Sequence, residues 1–346
     1  MTRYLFRLPI LVLVLMNSGC RDGDADGWPC ERLPYEEQVR EVLLVPDVAW
    51  IGEFPATLEY YGGVEAVLTQ TYSLEQRRVY VQRPFWMMAH EMTVGEYRAL
   101  MGTVPPTSGC EGDLCPVDYV TFANALGVAN ARSRAEGLQE CYDLSGCEDQ
   151  VESSEWGDCP QVSTFDWDCT GWRLPTNVEW EFATRAGVPE QFFCGASSGR
   201  DAGWPCPFAY GWFDRYRRVD TYPLPYPGAV VIPTVPVGLH CPNQWGLYDT
   251  YGNVQEYVWE WVENTRVEYD FLPQEGDPDR IDTRDGVLLA RGGFGPSPVY
   301  ATGSSSLDVI SPGFELMGFA EAYPQGVRLV RTATDEDLAN HRAANE

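Results

Sequence analysis

Glycine and proline interrupt this 346-residue chain so often that long regular elements are excluded over much of its length, since it contains 33 Gly and 26 Pro. Both residues tend to end helices and strands, because proline lacks an amide hydrogen and glycine has the most backbone freedom to lose on folding. The short apolar runs that remain predict strands at 42–51, 79–84, 287–291 and 327–332. The pattern favours an irregular, loop-rich α+β fold.

Helix signals are local and sharp. Two Thr-x-x-Glu sequences, beginning at Thr93 and Thr176, have the capping-box pattern of a helix start, and glycines at 102 and 187 predict where these helices end. Between them, Asp118 is a candidate cap for a longer helix that runs to about residue 135, before the glycine at 137. That helix has apolar residues at i, i+3, i+4 and i+7, which predict a buried face of Phe122, Ala125, Leu126 and Ala129.

The segment 243–257 combines a turn with acidic side chains. It reads Asn-Gln-Trp-Gly-Leu-Tyr-Asp-Thr-Tyr-Gly-Asn-Val-Gln-Glu-Tyr. Gly252 and Asn253 tolerate positive φ and predict a turn, with Asp249 and Glu256 on either side of it. Turn carbonyls together with two carboxylates form an all-oxygen set that suits Ca²⁺. A surface turn with two solvated acids is the alternative.

The same segment resembles the N-x-x-G-L-Y-D-x-x-G-N-V-x-E-W signature of the formylglycine-generating enzyme (sulfatase-modifying factor) family. Further segments resemble other motifs of that family, in the family's order, and they are Glu91–Tyr97, Gly171–Gly187, Ala290–Phe294 and Gly326–Arg331. The resemblance covers roughly residues 45–332. It implies the family's irregular α+β fold, which is a distant relative of the C-type lectin fold.

The resemblance also implies a calcium ion. The family's ligands fall on the side chains of Asp249 and Glu256 and on the backbone carbonyls of Gly252 and Val254. These are hard oxygen donors of the kind that Ca²⁺ binds in proteins. We therefore expect Ca²⁺ as the cofactor.

Copper is not expected. Aerobic members of the family hold copper with two cysteines after the Arg-Gly-Gly sequence, and these positions fall on Ser297 and Thr302 here. Hydroxyl oxygens are hard donors that do not replace thiolates for Cu(I), and no cysteine follows Cys241. The iron-dependent relatives use histidines from an additional helical domain, whereas this chain has 3 His in total. The resemblance thus implies a member with degenerate positions and no recognisable catalytic residue.

Residues 1–19 have the pattern of an export signal. Arg3 and Arg7 precede an apolar run that is too short to span a bilayer. Small and polar residues then lead to Cys20, and the whole resembles a bacterial lipoprotein signal with the lipid on Cys20. An ordinary secretory signal, and hence a secreted protein, is the alternative. On the lipoprotein interpretation, residues 20–36 form an acidic tether, and lipid alone holds the domain at a membrane of the bacterial cell envelope, on its periplasmic or outer-membrane face.

The acidic composition excludes one class of partner. The chain has 24 basic and 51 acidic residues and a formal net charge of −27. Such a surface repels phosphate backbones, so nucleic acid is not an expected ligand. With 44% hydrophobic and 13% aromatic residues, the chain has enough apolar material for a packed core and is not a disordered acidic segment.

Cysteine usage supports export. Setting Cys20 aside leaves an even number of the 11 cysteines, which is typical of disulfides in an oxidising compartment. Pairing near neighbours predicts Cys110–Cys115, Cys141–Cys147, Cys159–Cys169 and Cys194–Cys206, which leaves Cys30 with Cys241. The sequence leaves other pairings open. A zinc site is disfavoured because no Cys-x-x-Cys occurs and the histidines have no ligand spacing.

Large and charged side chains inside the motifs are predicted to be structural. The tryptophans expected in the core are Trp172, Trp180, Trp245, Trp259 and Trp261. An exposed aromatic cluster that binds sugars or peptides is the alternative for them. Arg173, Arg291 and Arg328 are predicted to form internal ion pairs, because each lies inside a fold motif.

These observations divide the chain into a signal at 1–19, a tether at 20–36, one domain at 37–332 and a polar tail at 333–346 that frays.

Two hypotheses for the function of the chain remain. The first is a catalytically degenerate binding or scaffold module that recognises a protein, peptide or glycan. The second is a divergent enzyme of the family, either a formylglycine-generating oxidase or another oxidoreductase, whose catalytic residues are not recognisable in the sequence.

Overall fold

The computed structural model describes most of the predicted domain. The described residues are 30–31, 33–45, 48–51, 77–105, 109–145, 168–190, 192–194, 209–212, 234–262, 287–293, 307–310 and 324–345. Within them the helices are α1 (Val94–Met101), α2 (Phe122–Glu136), α3 (Asn177–Arg185) and α4 (Asp335–Asn345), preceded by a 3-10 turn at Tyr35–Glu37.

The strands of the described residues are mostly short. They are β1 (Glu41–Leu44), β2 (Val48–Ile51), β3 (Arg77–Tyr80), β4 (Phe85–Met88), β5 (Trp172–Arg173), β6 (Gly211–Trp212), β7 (Tyr251–Gly252), β8 (Gln255–Val262), β9 (Val287–Arg291), β10 (Leu307–Ile310), β11 (Gln325–Gly326) and β12 (Val330–Thr332).

Both predicted capping boxes are confirmed. At the start of α1, the Thr93 hydroxyl accepts from the Glu96 amide at 3.1 Å, and the Glu96 carboxylate accepts from the Thr93 amide at 2.9 Å. At the start of α3, the corresponding bonds between Thr176 and Glu179 are 3.0 and 2.8 Å long. Each box satisfies amide groups that have no partner within the helix.

The helix α2 starts later than predicted. Its cap is Thr121, whose hydroxyl accepts from the Asn124 amide at 3.0 Å, and not Asp118. The predicted buried face is confirmed, because Phe122, Ala125, Leu126 and Ala129 are all buried. The helix ends at Gly137 in the left-handed conformation (φ 73°), as the glycine predicted.

Two four-stranded sheets organise the described residues. The first has the order β1-β4-β12-β5 with every neighbouring pair antiparallel. The second has the order β10-β9-β8-β11, in which only β8 and β11 are parallel. Shorter pairings join β2 to β3 and β6 to β7. Small antiparallel sheets with separate helices confirm the predicted irregular α+β fold class.

Three of the four predicted strands are interrupted. The run 42–51 forms β1 and β2, which pair in different sheets, and Pro46 lies between them in the sequence. The run 79–84 begins with the last two residues of β3 and stops before β4. The run 327–332 contains β12 after a gap that follows β11. Only the run 287–291 forms a continuous strand, β9.

The core confirms most of the predicted tryptophans. Trp172, Trp180 and Trp259 are buried, and Trp245 is partly buried against Phe182. Only the backbone of Trp261 belongs to the described residues. Trp259 stacks on Tyr142 with ring centroids 5.2 Å apart. These rings fill space between the helices and the sheets, so they are core residues and not an exposed sugar-binding cluster.

The disulfides of the described residues join cysteines that are near in sequence and cysteines that are distant. Cys30–Cys241 and Cys110–Cys115 are confirmed. The predicted pairs Cys141–Cys147 and Cys159–Cys169 are wrong, because Cys141 is bonded to Cys169. The fold brings Cys141 and Cys169 together although their sequence separation is 28 residues. A prediction that pairs cysteines close in sequence does not find this bond. Cys194 is disulfide-bonded, whereas Cys147, Cys159 and Cys206 lie outside the described residues.

The predicted polar tail forms a helix. The Thr334 hydroxyl accepts from the Asp337 amide at 3.1 Å and so caps α4. Arg331 on β12 donates to both oxygens of the Asp337 carboxylate, at 2.9 and 3.1 Å. This bidentate pair joins the helix to the first sheet, so residues 335–345 form a docked helix in place of an irregular tail.

No helix in the described part of the chain is both long and apolar enough to cross a membrane. The predicted signal and the lipid site Cys20 lie outside the described residues.

Candidate functional site

The turn predicted in the segment 243–257 is present. Gly252 and Asn253 have positive φ of 92° and 66°, and Asp249 has a φ of 55°. Left-handed backbone costs little for glycine and is tolerated by Asn and Asp. The Gly252 amide donates to the carbonyl of Gly292 at 2.7 Å, which joins this turn to the Arg-Gly-Gly sequence.

Strand register brings the motif segments together. Glu256 on β8 is aligned with Arg291 on β9 and, on its other side, with Gly326 on β11. Because β11 is followed directly by Val327 and Arg328, the arginine reaches the same face as Glu256. Residues that are far apart in sequence thus meet around one carboxylate.

Arg328 and Glu256 form a fully buried ion pair. Arg328 Nη2 donates to Glu256 Oε1 at 2.8 Å, and its Nε–H is shared between Oε1 (3.0 Å) and Oε2 (2.9 Å). Trp180 Nε1 donates to Oε2 at 2.6 Å. The side chains of the pair are 0% and 1% exposed. Burial of both charges makes the pairing obligatory, because either group alone lacks solvation.

The same guanidinium bonds to backbone carbonyls at the end of β4 and in the segment 243–257. Nη1 donates to the carbonyls of Met88 (3.2 Å) and Ala89 (2.8 Å), and Nη2 donates to that of Tyr248 (2.8 Å). Arg328 therefore links β4, the segment 243–257 and β8. The prediction that this arginine forms a structural ion pair is confirmed.

Two further carboxylates lie close to this pair. Glu91 accepts from Asn253 Nδ2 at 2.6 Å and from the Val254 amide at 3.1 Å. Burial raises its pKa well above the usual value, and the charges of Asp249 and Glu256 raise it further. Asp249 Oδ2 accepts from the Gly238 amide at 2.6 Å, and burial raises the Asp249 pKa to about 6. We call Glu91, Asp249, Glu256 and Arg328 the carboxylate cluster.

The cluster carries more acid than base, and one of its carboxylate oxygens has no hydrogen-bond partner. Asp249 Oδ1 is buried and has no such partner among the described residues. Glu256, by contrast, already accepts two contacts at each of its oxygens. The Asp249 oxygen is an acceptor of the kind that suits a hard cation.

Backbone oxygens would have to complete such a cation site. Within the described ranges, no three His, Cys, Asp or Glu side chains are arranged to hold a metal ion by themselves. Gly252 and Val254, whose carbonyls the sequence predicts as ligands, are buried beside the cluster. The predicted donor set thus combines carbonyl and carboxylate oxygens, which are the ligand types that Ca²⁺ takes in proteins.

A second buried network surrounds the start of α3. Arg173 donates to both oxygens of Glu179, each at 2.6 Å. Glu181 accepts from Arg185 Nε at 2.9 Å and from Arg291 Nη2 at 2.8 Å. The ion pairs predicted for Arg173 and Arg291 are thereby confirmed. The sequence does not name the acidic partners, although Glu179 and Glu181 lie in the same motif.

Glu260 is a buried acid that the sequence analysis missed. It lies on β8 and its Oε2 accepts from the Asn177 amide at 2.7 Å, at the first position of α3. Burial raises its pKa to about 8. Its place in the run 257–262, whose other residues are apolar or aromatic, was the one available signal.

The remaining predicted site residues cannot be placed. Ser297 and Thr302 lie outside the described residues, and the described part of their segment ends at Gly293. Gly292 and Gly293 both have positive φ, of 87° and 67°, which explains two consecutive glycines after Arg291.

Known proteins resemble this chain both in sequence and in fold. A family model, the sulfatase-modifying factor enzyme 1-like domain, matches residues 52–333. The chaperone protein LppX of Paenibacillus barcinonensis is 32% identical over 180 residues, which are 51% of this chain and 62% of LppX. The formylglycine-generating enzyme of Streptomyces coelicolor is 30% identical over 134 residues, 38% of each chain. The chain thus spans less than two thirds of these curated relatives.

Among solved structures, the Treponema denticola variable protein 1 is similar with a TM-score of 0.58 and 21% identity. The match covers 85% of this chain and 95% of that one, and at such identity it shows the fold alone. The family model spans most of the chain, from the residue after β2 to the residue after β12. The chain therefore belongs to the family of sulfatase-modifying factor enzyme 1-like domains.

Proposed function

We propose that this chain is a non-catalytic binding protein of the family, exported and anchored by lipid. The observation that carries the proposal is the state of its cysteines. Every cysteine in the described ranges is disulfide-bonded, including Cys241, after which the sequence contains no other cysteine. Cu(I) selects thiolates, and a disulfide sulfur does not supply one.

The buried arginines support the same conclusion. Arg173, Arg291 and Arg328 are each at most 3% exposed and are paired with internal carboxylates. Charges used in this way stabilise the fold and are withheld from a substrate. The similarity to LppX, which is named a chaperone protein, supports a protein partner for this chain too. The similarity to relatives named formylglycine-generating enzymes supports the alternative, in which this chain is an enzyme.

The test is a formylglycine assay on the full chain. We expect the purified protein, supplied with Cu(I), oxygen and a Cys-x-Pro-x-Arg peptide, to yield no aldehyde by mass spectrometry. The Streptomyces coelicolor relative serves as the positive control under identical conditions. Aldehyde formation above the metal-only background would overturn the proposal and move this chain to the enzymes.

Export and anchoring rest on the signal pattern at 1–19 and on the disulfides. Disulfides persist in oxidising compartments. Cys30, which is bonded to Cys241, lies ten residues after the proposed lipid site Cys20. Mass spectrometry of the mature N-terminus is the measurement. Lipid on Cys20 is the expected result, and an unmodified terminus downstream of Cys20 would refute the anchor.

We also propose that the carboxylate cluster holds Ca²⁺ through Asp249, Glu256 and the carbonyls of Gly252 and Val254. The ion would supply positive charge among buried acids and lower the pKa of Asp249. Because it binds the folded chain, saturation to about 100 times Kd adds about 2.7 kcal/mol to the free energy of unfolding. We expect added Ca²⁺ to raise Tm and Asp249→Ala to abolish that rise.

The control for the calcium experiment is Glu36→Gln, a change at an exposed acid away from the cluster. It should leave both the bound calcium, measured by plasma emission spectrometry, and the Tm rise unchanged. If Asp249→Ala retains both, calcium does not bind at Asp249.

A further inference from the structure

A cavity of about 570 Å³ opens between the end of α1, the middle of α2 and residues 140–145. Its volume falls in the range of about 300–1,000 Å³ that is typical of small-ligand sites. None of its lining residues belongs to the carboxylate cluster or to the ion pairs around α3. We call it the Gly127 cavity, and its lining includes Leu100, Met101, Gly127, Arg134, Asp143 and Leu144.

One wall of this cavity is held rigidly. The buried Asn130 side chain accepts from the amides of Cys141 and Tyr142, both at 3.2 Å, and donates to the Tyr142 carbonyl at 2.8 Å. Cys141 is also tied to Cys169 by the disulfide, and the Tyr142 ring is stacked on Trp259. A wall fixed in this way loses little conformational entropy on binding a ligand.

Gly127 contributes backbone to the cavity wall. It lies in the interior of α2, where glycine costs about 0.5–1 kcal/mol relative to alanine. The cavity is also lined by the partly exposed side chains of Leu100, Met101 and Leu144.

The charges at the rim favour a cation. Arg134 and Glu140 form an ion pair with each other, with Nη1 and Oε2 separated by 2.7 Å. Asp143 forms no ion pair with a described Lys or Arg, and its Oδ1 accepts from the Ser145 amide at 3.0 Å. This bonding to Ser145 lowers the pKa of Asp143, so the carboxylate is ionised at neutral pH. The net charge of −27 on the chain adds a long-range attraction for basic ligands.

We propose that the Gly127 cavity binds a short peptide segment of a partner protein, with an apolar side chain beside Gly127 and an adjacent Lys or Arg paired with Asp143. The cavity lining combines apolar side chains with a carboxylate that forms no ion pair with a described Lys or Arg. These two features match an apolar residue and a basic residue that are neighbours in a peptide. This inference rests on the proposed function because it assumes a protein partner. It adds where that partner binds and which side chains of the partner are recognised.

The experiment measures binding of a fluorescent Gly-Leu-Lys-Leu-Gly peptide to the full chain by anisotropy at low ionic strength. We expect saturable binding that weakens at least tenfold in Gly127→Leu, which fills the cavity while improving the helix propensity of α2. Asp143→Asn should weaken binding up to about fivefold, in line with an exposed ion pair. Glu36→Gln is the matched control for charge and should bind like the unchanged protein.

Four results would overturn the proposal. The first is failure of the peptide to bind, and the second is equal binding by Gly127→Leu with its fold intact by circular dichroism. The third is equal binding of the Gly-Leu-Glu-Leu-Gly peptide. The fourth is binding of hexylammonium while the peptide does not bind. None of these results bears on the formylglycine assay, so failure of the cavity assignment is distinguishable from failure of the proposed function.

Discussion

Replacing Arg328 with methionine is expected to lower the free energy of unfolding by about 3–5 kcal/mol, the usual effect of removing one partner from a buried ion pair. The change leaves the Glu256 carboxylate buried with only Trp180 as a described donor. It also removes the hydrogen bonds to the carbonyls of Ala89 and Tyr248, both 2.8 Å long. Urea unfolding followed by tryptophan fluorescence is the measurement.

The matched control is Arg134→Met, which removes an arginine from an ion pair whose side chains are 58% and 40% exposed. We expect a loss of at most about 1 kcal/mol there, because water and salt screen surface pairs. The double change Arg328→Met with Glu256→Gln should be less destabilising than Arg328→Met alone, since no buried charge is left without a partner. Equal losses in Arg328→Met and Arg134→Met would contradict the buried network.

Replacing Glu260 with glutamine is expected to stabilise the protein at alkaline pH and to have little effect near pH 4. Burial raises the pKa of Glu260 to about 8, so the folded chain keeps this carboxyl neutral in a range where the unfolded chain ionises it. The folded state thus binds the extra proton between about pH 4.5 and 8, and the free energy of unfolding falls as pH rises through that window. The glutamine oxygen can still accept from the Asn177 amide.

The size of the gain follows from the pKa shift. A tenfold change in proton affinity corresponds to about 1.4 kcal/mol, so a pKa raised from the ordinary 4.5 to about 8 gives at most about 5 kcal/mol at pH 9. Unfolding at pH 4, 6, 8 and 9 would show the difference between variant and unchanged protein growing with pH. Glu140→Gln, at an exposed acid, should show no such growth, and a flat difference for Glu260→Gln would refute a neutral buried carboxyl.

Features encoded over a few residues were predictable from the sequence. The capping boxes at Thr93 and Thr176 need only a hydroxyl and a glutamate three residues later, and both formed as predicted. The positive φ of Gly252 and Asn253 is likewise a local property of those residue types. The α2 cap shows the limit of such reasoning. Asp118 and Thr121 are both good capping residues, and the structure uses Thr121.

Features that depend on distant partners were only half predictable. The sequence identified Arg328 as an ion-pairing residue from its place in a motif, but Glu256 lies 72 residues away and is selected by the pairing of β8 with β11. The same holds for Cys141, whose partner Cys169 lies across a segment rich in other cysteines. Long-range pairing is set by the geometry of the packed chain, and sequence separation carries little information about it.

The sequence by itself determined the family motifs, the local helix starts, the acidic surface and the lack of cysteine after Cys241. Each depends on residue identity or short spacing alone. Only the tertiary structure decided which carboxylate each buried arginine meets, that Glu260 is buried at the start of α3, and that a cavity forms beside Gly127. Burial, charge pairing and empty space arise between elements that are remote in sequence, and only packing brings those elements together.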